Sequence, residues 1–122
     1  FGTQASLKSQ YTVVYGPASN RFSADQGYSE HQLGTALDFT TKKTGEVLLG
    51  FDKTPSYKWL TDNAYRFGFI LSYPKANSYY IFEPWHWRFV GVSLAAYLHG
   101  ESKYFYNILQ RDIDSYLIKI FD

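Results

Sequence analysis

Two histidines and two carboxylates stand at spacings that suit metal-assisted hydrolysis. Within Ser29-Glu30-His31-Gln32-Leu33-Gly34-Thr35-Ala36-Leu37-Asp38, His31 and Asp38 supply one imidazole and one carboxylate, and His86 and Glu83 of Glu83-Pro84-Trp85-His86 supply a second of each. His31 and Asp38 are seven residues apart, with Gly34 between them. That is too far for neighbours on one helical turn. The spacing predicts a first ligand at a loop end and a second on an outgoing strand, Ala36 to Thr40, with His86 closing the set from a distant segment. Zinc takes imidazole nitrogen and carboxylate oxygen at about 2.0–2.2 Å, and a catalytic zinc keeps three protein ligands and an open fourth position. Glu83 lies three residues before His86, close enough to face that open position as a general base without binding the ion. The bland alternative makes His31 and His86 ordinary hydrogen-bonded histidines and Asp38 a strand-end cap, and leaves the joint spacing a coincidence.

Ser-x-His-x-x-Gly-x-Ala-x-Asp followed by Glu-x-x-His, here inside Glu83-Pro84-Trp85-His86-Trp87-Arg88, resembles the VanY-type zinc D-alanyl-D-alanine carboxypeptidases. Relatives of that family include L,D-carboxypeptidases and hedgehog signalling domains of the same fold. The resemblance runs from about Phe1 to Gly91. It implies zinc held by His31, Asp38 and His86, with Glu83 as catalytic base. It also implies that Ser29, with the nearby Gln4, donates hydrogen bonds to the substrate's terminal carboxylate. The implied substrate is a peptidoglycan stem peptide ending in D-alanine, met outside the cytoplasmic membrane. In the family a Ser-x-Tyr-Arg-Ser segment, whose arginine helps hold substrate, lies just before the point where Phe1-Gly2-Thr3-Gln4 stands here. The expectation is therefore a single catalytic domain over residues 1–122 that starts inside the domain, with any export signal upstream.

Composition sets the outer bounds. A chain of 122 residues fits one domain with its own core. Twelve basic against eleven acidic residues leave +1, which argues against a nucleic-acid surface. Cysteine is absent, so neither a disulfide framework nor a thiolate ligand or nucleophile is available. No run reaches the length of a membrane span, and no charged-then-apolar leader opens the sequence. Aromatic residues make up 20% of the chain, twelve of them tyrosine. Most read as core filler, with some left over to line a ligand groove.

The elements that must position the site read as α+β: a small antiparallel sheet carrying the ligands, flanked by helices. Thr3 to about Tyr15 reads as a helix stopped by Gly16-Pro17, and Ala18 to Tyr28 as an ordered loop. After the Ala36–Thr40 strand, Lys42-Lys43-Thr44-Gly45 reads as a solvated turn. Thr54-Pro55 opens a helix with threonine as cap and proline in the first turn, burying Trp59, Leu60, Ala64 and Phe67 and ending at Gly68. Phe69 to Ser72, Tyr79 to Glu83 and Trp85 to Val90 read as strands, the last two flanking Pro84. Alternation predicts His86, Arg88 and Val90 on one face, with Trp85, Trp87 and Phe89 on the other. Arg88 then lies near or beside the site. Trp85 and Trp87 read first as core, with Trp85 also placed to wall the pocket. A helix from Ser93 to His99 and a tail helix from about Asp112 to Ile120 complete the chain. His99, at a helix C-terminus, reads as structural.

Three functions follow in order. A zinc carboxypeptidase uses every feature, with either the D-Ala–D-Ala bond or the L-Lys–D-Ala bond as its target. A binding module that keeps the fold and the zinc without turnover has no use for Glu83. A lysostaphin-type endopeptidase resembles a different pattern around the second histidine.

Overall fold

The computed structural model describes residues 29–42 and 48–117. The expected helix over Thr3–Tyr15, Gln4 within it, the loop over Ala18–Tyr28 and most of the Lys42–Gly45 turn lie outside those residues.

Three short strands form one antiparallel sheet: β1 (Ala36–Asp38), β2 (Phe69–Leu71) and β3 (His86–Phe89), in the order β1-β3-β2. The central strand is thus the last in sequence, and it carries His86. Its register sets Asp38 opposite His86, and both Ala36 and Ile70 opposite Arg88. Residues opposite one another in an antiparallel pair project to the same face. His86 and Arg88 therefore share a face with Asp38, and Trp87 and Phe89 take the other, as alternation predicts.

The helices are α1 (Pro55–Asn63), α2 (Val92–Gly100) and α3 (Gln110–Leu117). Thr54 caps α1 as the sequence implies. Its hydroxyl accepts from the Tyr57 N–H at 3.2 Å and donates to the Phe51 carbonyl at 2.7 Å, which satisfies one of the amides left open at a helix start. The last turn tightens into a 3₁₀ segment, Ala64–Phe67, before Gly68 at φ 83°. A Cβ at Gly68 would come within 2.6 Å of the Phe89 ring, so the site demands glycine by close packing as well as by conformation. The buried face of α1 departs from expectation. Ala64 is buried, but Trp59 and Phe67 are 53% and 58% exposed and pack on each other with ring centroids 6.1 Å apart.

The core gathers Ile70, Val90, Leu94, Ala95, Leu98 and Ile113, so β2, the end of β3, α2 and α3 close on one another. His99, at the end of α2, is exposed and stacks on Tyr65 at 4.0 Å. A cavity of about 320 Å³ opens between α1, β2 and α2, lined in part by His99 and not by His31 or His86. No helix among the described residues is long and apolar enough to cross a membrane.

The strand expected over Tyr79–Glu83 does not form. Asn77 Oδ1 accepts from the backbone N–H of Tyr79 at 2.9 Å and of Tyr80 at 2.8 Å. A side chain has taken the amides that a ladder would need, as asparagine does in turns. The strand after Pro84 is also shorter than predicted, because Trp85 belongs to the turn.

Candidate metal centre

His31 comes from a 3₁₀ turn, Glu30–Leu33, closed by Gly34 at φ 70°, whose N–H donates to the His31 carbonyl at 3.1 Å. That left-handed residue, favourable for glycine, sends the chain straight into β1 and brings His31 back over Asp38. His31 Nε2 lies 3.2 Å from Asp38 Oδ1, and His86 Nδ1 lies 3.2 Å from the same oxygen. The two rings meet edge-on with centroids 4.6 Å apart. One donor atom from each residue falls within 4.8 Å of the others. Around a tetrahedral ion with bonds of about 2.0–2.2 Å, neighbouring donors sit about 3.3–3.6 Å apart. The two edges through Asp38 already have nearly that length, so the residues present fit a metal ion.

Glu83 is held by a tight turn. The His86 N–H donates to the Glu83 carbonyl at 3.1 Å across Pro84-Trp85, and proline at the second position presets the backbone angle such a turn uses. The Glu83 N–H donates to the Tyr73 carbonyl at 3.1 Å. Its carboxylate oxygen Oε2 thereby stands 3.7 Å from His86 Nδ1, with the side chain only 16% exposed.

These surroundings separate the two carboxylates. Burial would raise Asp38, but hydrogen bonds from His31 and His86 outweigh it and hold the carboxyl far below its usual range. For Glu83 burial dominates and pushes it up to about 7, with His86 opposing and Asp38 adding repulsion. One carboxylate is thus fixed as an anion while the other is poised to exchange a proton near neutrality, the division that general acid–base chemistry requires.

The imidazoles are tuned upward. His31 is raised chiefly by its bond to Asp38. Burial would lower His86, but its bonds to Asp38 and Glu30 push it up to about 9. Without metal, a His86 raised above its unfolded value of 6.5 adds stability that is complete below pH 6.5 and lost as pH climbs through about 9. A metal must displace that proton. Metal uptake at pH 7 should therefore release about one proton from His86, with a further fraction from His31, and affinity should rise with pH up to about 9. Titration in weak buffer with an indicator dye measures the release, and uptake without any release would contradict the imidazole ligation.

Neither motif spacing nor periodicity assigns a role to Glu30. Its side chain is 4% exposed, yet it is ionised. Burial would raise its carboxyl, but His86, Tyr106, Ser72 and Arg88 together hold it down to about 2. Oε2 accepts from His86 Nε2 at 2.8 Å and Ser72 Oγ at 2.7 Å. Oε1 accepts from Arg88 Nη1 at 3.0 Å and from the Tyr106 hydroxyl. Only one signal could have pointed to it: a metal-bound histidine usually gives its other ring N–H to a carboxylate, and Glu30 adjoins the first histidine.

The remaining expected site residues are placed as follows. Ser29 is buried beside the His31 turn, and its hydroxyl makes no capping hydrogen bond. Trp85 sits half-buried in the turn between Glu83 and His86, its carbonyl accepting from the Phe39 N–H at 2.9 Å. Arg88 pairs with Glu30 and lies 4.5 Å over the Phe105 ring, and its Nε finds no partner among the described residues.

Comparison with known proteins agrees with this geometry. The family described as VanY, D-alanyl-D-alanine carboxypeptidase, matches residues 2–92, which include His31, Asp38, Glu83 and His86. The putative carboxypeptidase YodJ of Bacillus subtilis (strain 168) is 45% identical over 73 residues, covering 57% of this chain and 27% of that protein. The chain therefore matches little more than a quarter of that relative's length. Among solved structures, the LdcB LD-carboxypeptidase superposes with a TM-score of 0.75 at 32% identity, covering 84% of this chain and 50% of that one. A mutant of the vancomycin-resistance D,D-pentapeptidase VanY in complex with Zn(II) superposes with a TM-score of 0.65 at 27% identity, covering 95% of this chain and 63% of that one. A motif in the expected order, a three-donor cluster and a family match over most of the chain coincide, and the protein belongs to the VanY-type D-alanyl-D-alanine carboxypeptidase family.

Proposed function

We propose that this chain is a zinc carboxypeptidase that removes the terminal D-alanine from peptidoglycan stem peptides outside the cytoplasmic membrane. The observation that carries the reading is the pairing of a His31–Asp38–His86 donor set with a further carboxylate, Glu83, 3.7 Å from His86 Nδ1. The Zn(II) complex of the VanY relative supports zinc as the metal.

A zinc ion in this donor set would polarise the scissile carbonyl and make water more acidic. The chain's own part is proton transfer and positioning. Glu83 takes one proton from the attacking water and delivers it to the leaving amine of D-alanine as the peptide C–N bond breaks and the new C–O bond forms. Its raised pKa suits both halves of that exchange near neutral pH. Ser29, whose hydroxyl caps no helix, offers a donor to the substrate's terminal carboxylate, with Gln4 assigned to the same task. Trp85, half-buried in the turn between base and ligand, is placed to flank a bound substrate, and Arg88 bears on the site through Glu30.

A second reading has a specific observation behind it, the likeness to an LD-carboxypeptidase structure. Mass spectrometry of muropeptides incubated with the zinc-loaded protein separates the two. Loss of one alanine from pentapeptide stems supports D,D-cleavage, and loss from tetrapeptide stems alone transfers the assignment to L,D-cleavage. Bound zinc with no cleavage of either would reduce the chain to a binding module.

A further inference from the structure

Glu30 has no task in the chemistry above, yet it is among the most completely engaged side chains of the site. A buried carboxylate is costly unless paired and hydrogen-bonded throughout, and here both oxygens accept two donors each, filling the positions a carboxylate offers. The donors come from three separate places. His86 and Arg88 are alternate residues on one face of β3, Ser72 follows β2, and Tyr106 lies in the 3₁₀ turn Phe105–Asn107. Glu30 itself adjoins His31, so a single turn delivers one ligand and the partner of another.

We propose that Glu30 is a positioning residue that selects which ring nitrogen of His86 faces the metal, and that Tyr106 completes this support from beyond the family-matched segment. The inference rests on His86 being a metal ligand. An ionised carboxylate can only accept, so the hydrogen of a neutral His86 resides on Nε2, facing Glu30. Nδ1 is then the free lone pair, and it is the nitrogen that faces Asp38 and Glu83. Arg88 and Tyr106 keep the second oxygen of Glu30 occupied, which stops the carboxylate from rotating away from the ring. Tyr106 lies 76 residues from Glu30 and outside residues 2–92. Metal retention accordingly depends on the segment after α2.

Glu30→Gln tests this with little change of shape. An amide has one accepting oxygen, so either the His86–Ser72 pair or the Arg88–Tyr106 pair must face an NH₂ group. Zinc affinity, measured by competition with a chromophoric chelator, should fall about 10- to 100-fold, the range for losing such a partner. Tyr106→Phe removes one hydroxyl and should weaken zinc by about 2- to 10-fold, in the same direction. It serves as the decisive variant if Glu30→Gln fails to fold. Long-range proton–nitrogen NMR on the zinc-loaded wild type should find the His86 proton on Nε2. A proton on Nδ1 instead overturns the proposal. So does zinc affinity unchanged in both folded variants, even where their melting temperature drops, because that pattern belongs to a purely structural carboxylate. Failure of the wild type to bind zinc at all would overturn the metal reading, and this inference with it, whereas a wild type that binds zinc keeps the two outcomes separate.

Discussion

Replacing Glu83 with glutamine should lower turnover by roughly 10²–10⁴-fold while leaving the metal in place, the usual loss when a general acid–base group is removed. The prediction depends on how Glu83 is held. The Pro84 turn fixes its backbone one hydrogen bond from His86, and its carboxylate stands 3.7 Å from the ring nitrogen that faces Asp38. Glutamine preserves the turn and the side-chain length and removes only the basic oxygen. The same residue should govern the acid side of the pH profile. The carboxyl must be ionised to accept a proton, and burial places it at about 7, so kcat/KM should climb with pH up to neutrality. A cation in the donor set favours the ionised form and shifts that limb to lower pH. The glutamine variant should lose the limb altogether. Metal analysis after dialysis is the control. If the variant sheds metal as readily as a histidine variant, Glu83 is a fourth ligand and not the base.

The other large effect is loss of the centre itself. His86→Ala removes one of three donors and leaves two anions, Asp38 and Glu30, without the imidazole that both bond. Zinc content should fall to a small fraction of one ion per chain, and hydrolysis should fall to background. His86 is nearly fully buried, so alanine also opens a cavity, and a folding defect alone could mimic the result. His31→Ala avoids this, because that side chain is 43% exposed, and it should cost the metal while the fold survives. A folded double variant that still carried stoichiometric zinc would refute the ligand assignment outright.

Much of the site was legible because its chemistry is written in residue types at short range. Gly34 after the His31 turn, Pro84 between Glu83 and His86, and Thr54-Pro55 at the head of α1 each act within a few residues. Local rules therefore read the Thr54 cap correctly and marked Pro84 as a break, though between two strands where the structure has a turn, and alternation along β3 put His86 and Arg88 on the same face. The misreadings also have local causes. Tyr79–Glu83 looks like a strand by composition, but Asn77 takes two of its amides. Trp59 and Phe67 follow a helical stripe, yet α1 turns that stripe partly to solvent, where the two rings cover each other.

The sequence by itself determined that this chain carries a metal-type donor set, a separate carboxylate beside it and a short antiparallel sheet to bear them. Only the tertiary structure decided what surrounds His86. Glu30 finds its partners 42, 56, 58 and 76 residues away, and no periodicity or motif spacing reports contacts at such separations. Before folding, Glu30 is one more charged residue beside a histidine. Burial at the junction of the His31 turn, the central strand and the Tyr106 turn makes it costly to leave unpaired, and the same burial makes its four bonds strong. The ligand types are a local property of the chain. Their orientation is a property of the dry, hydrogen-bonded interior that only the assembled fold creates.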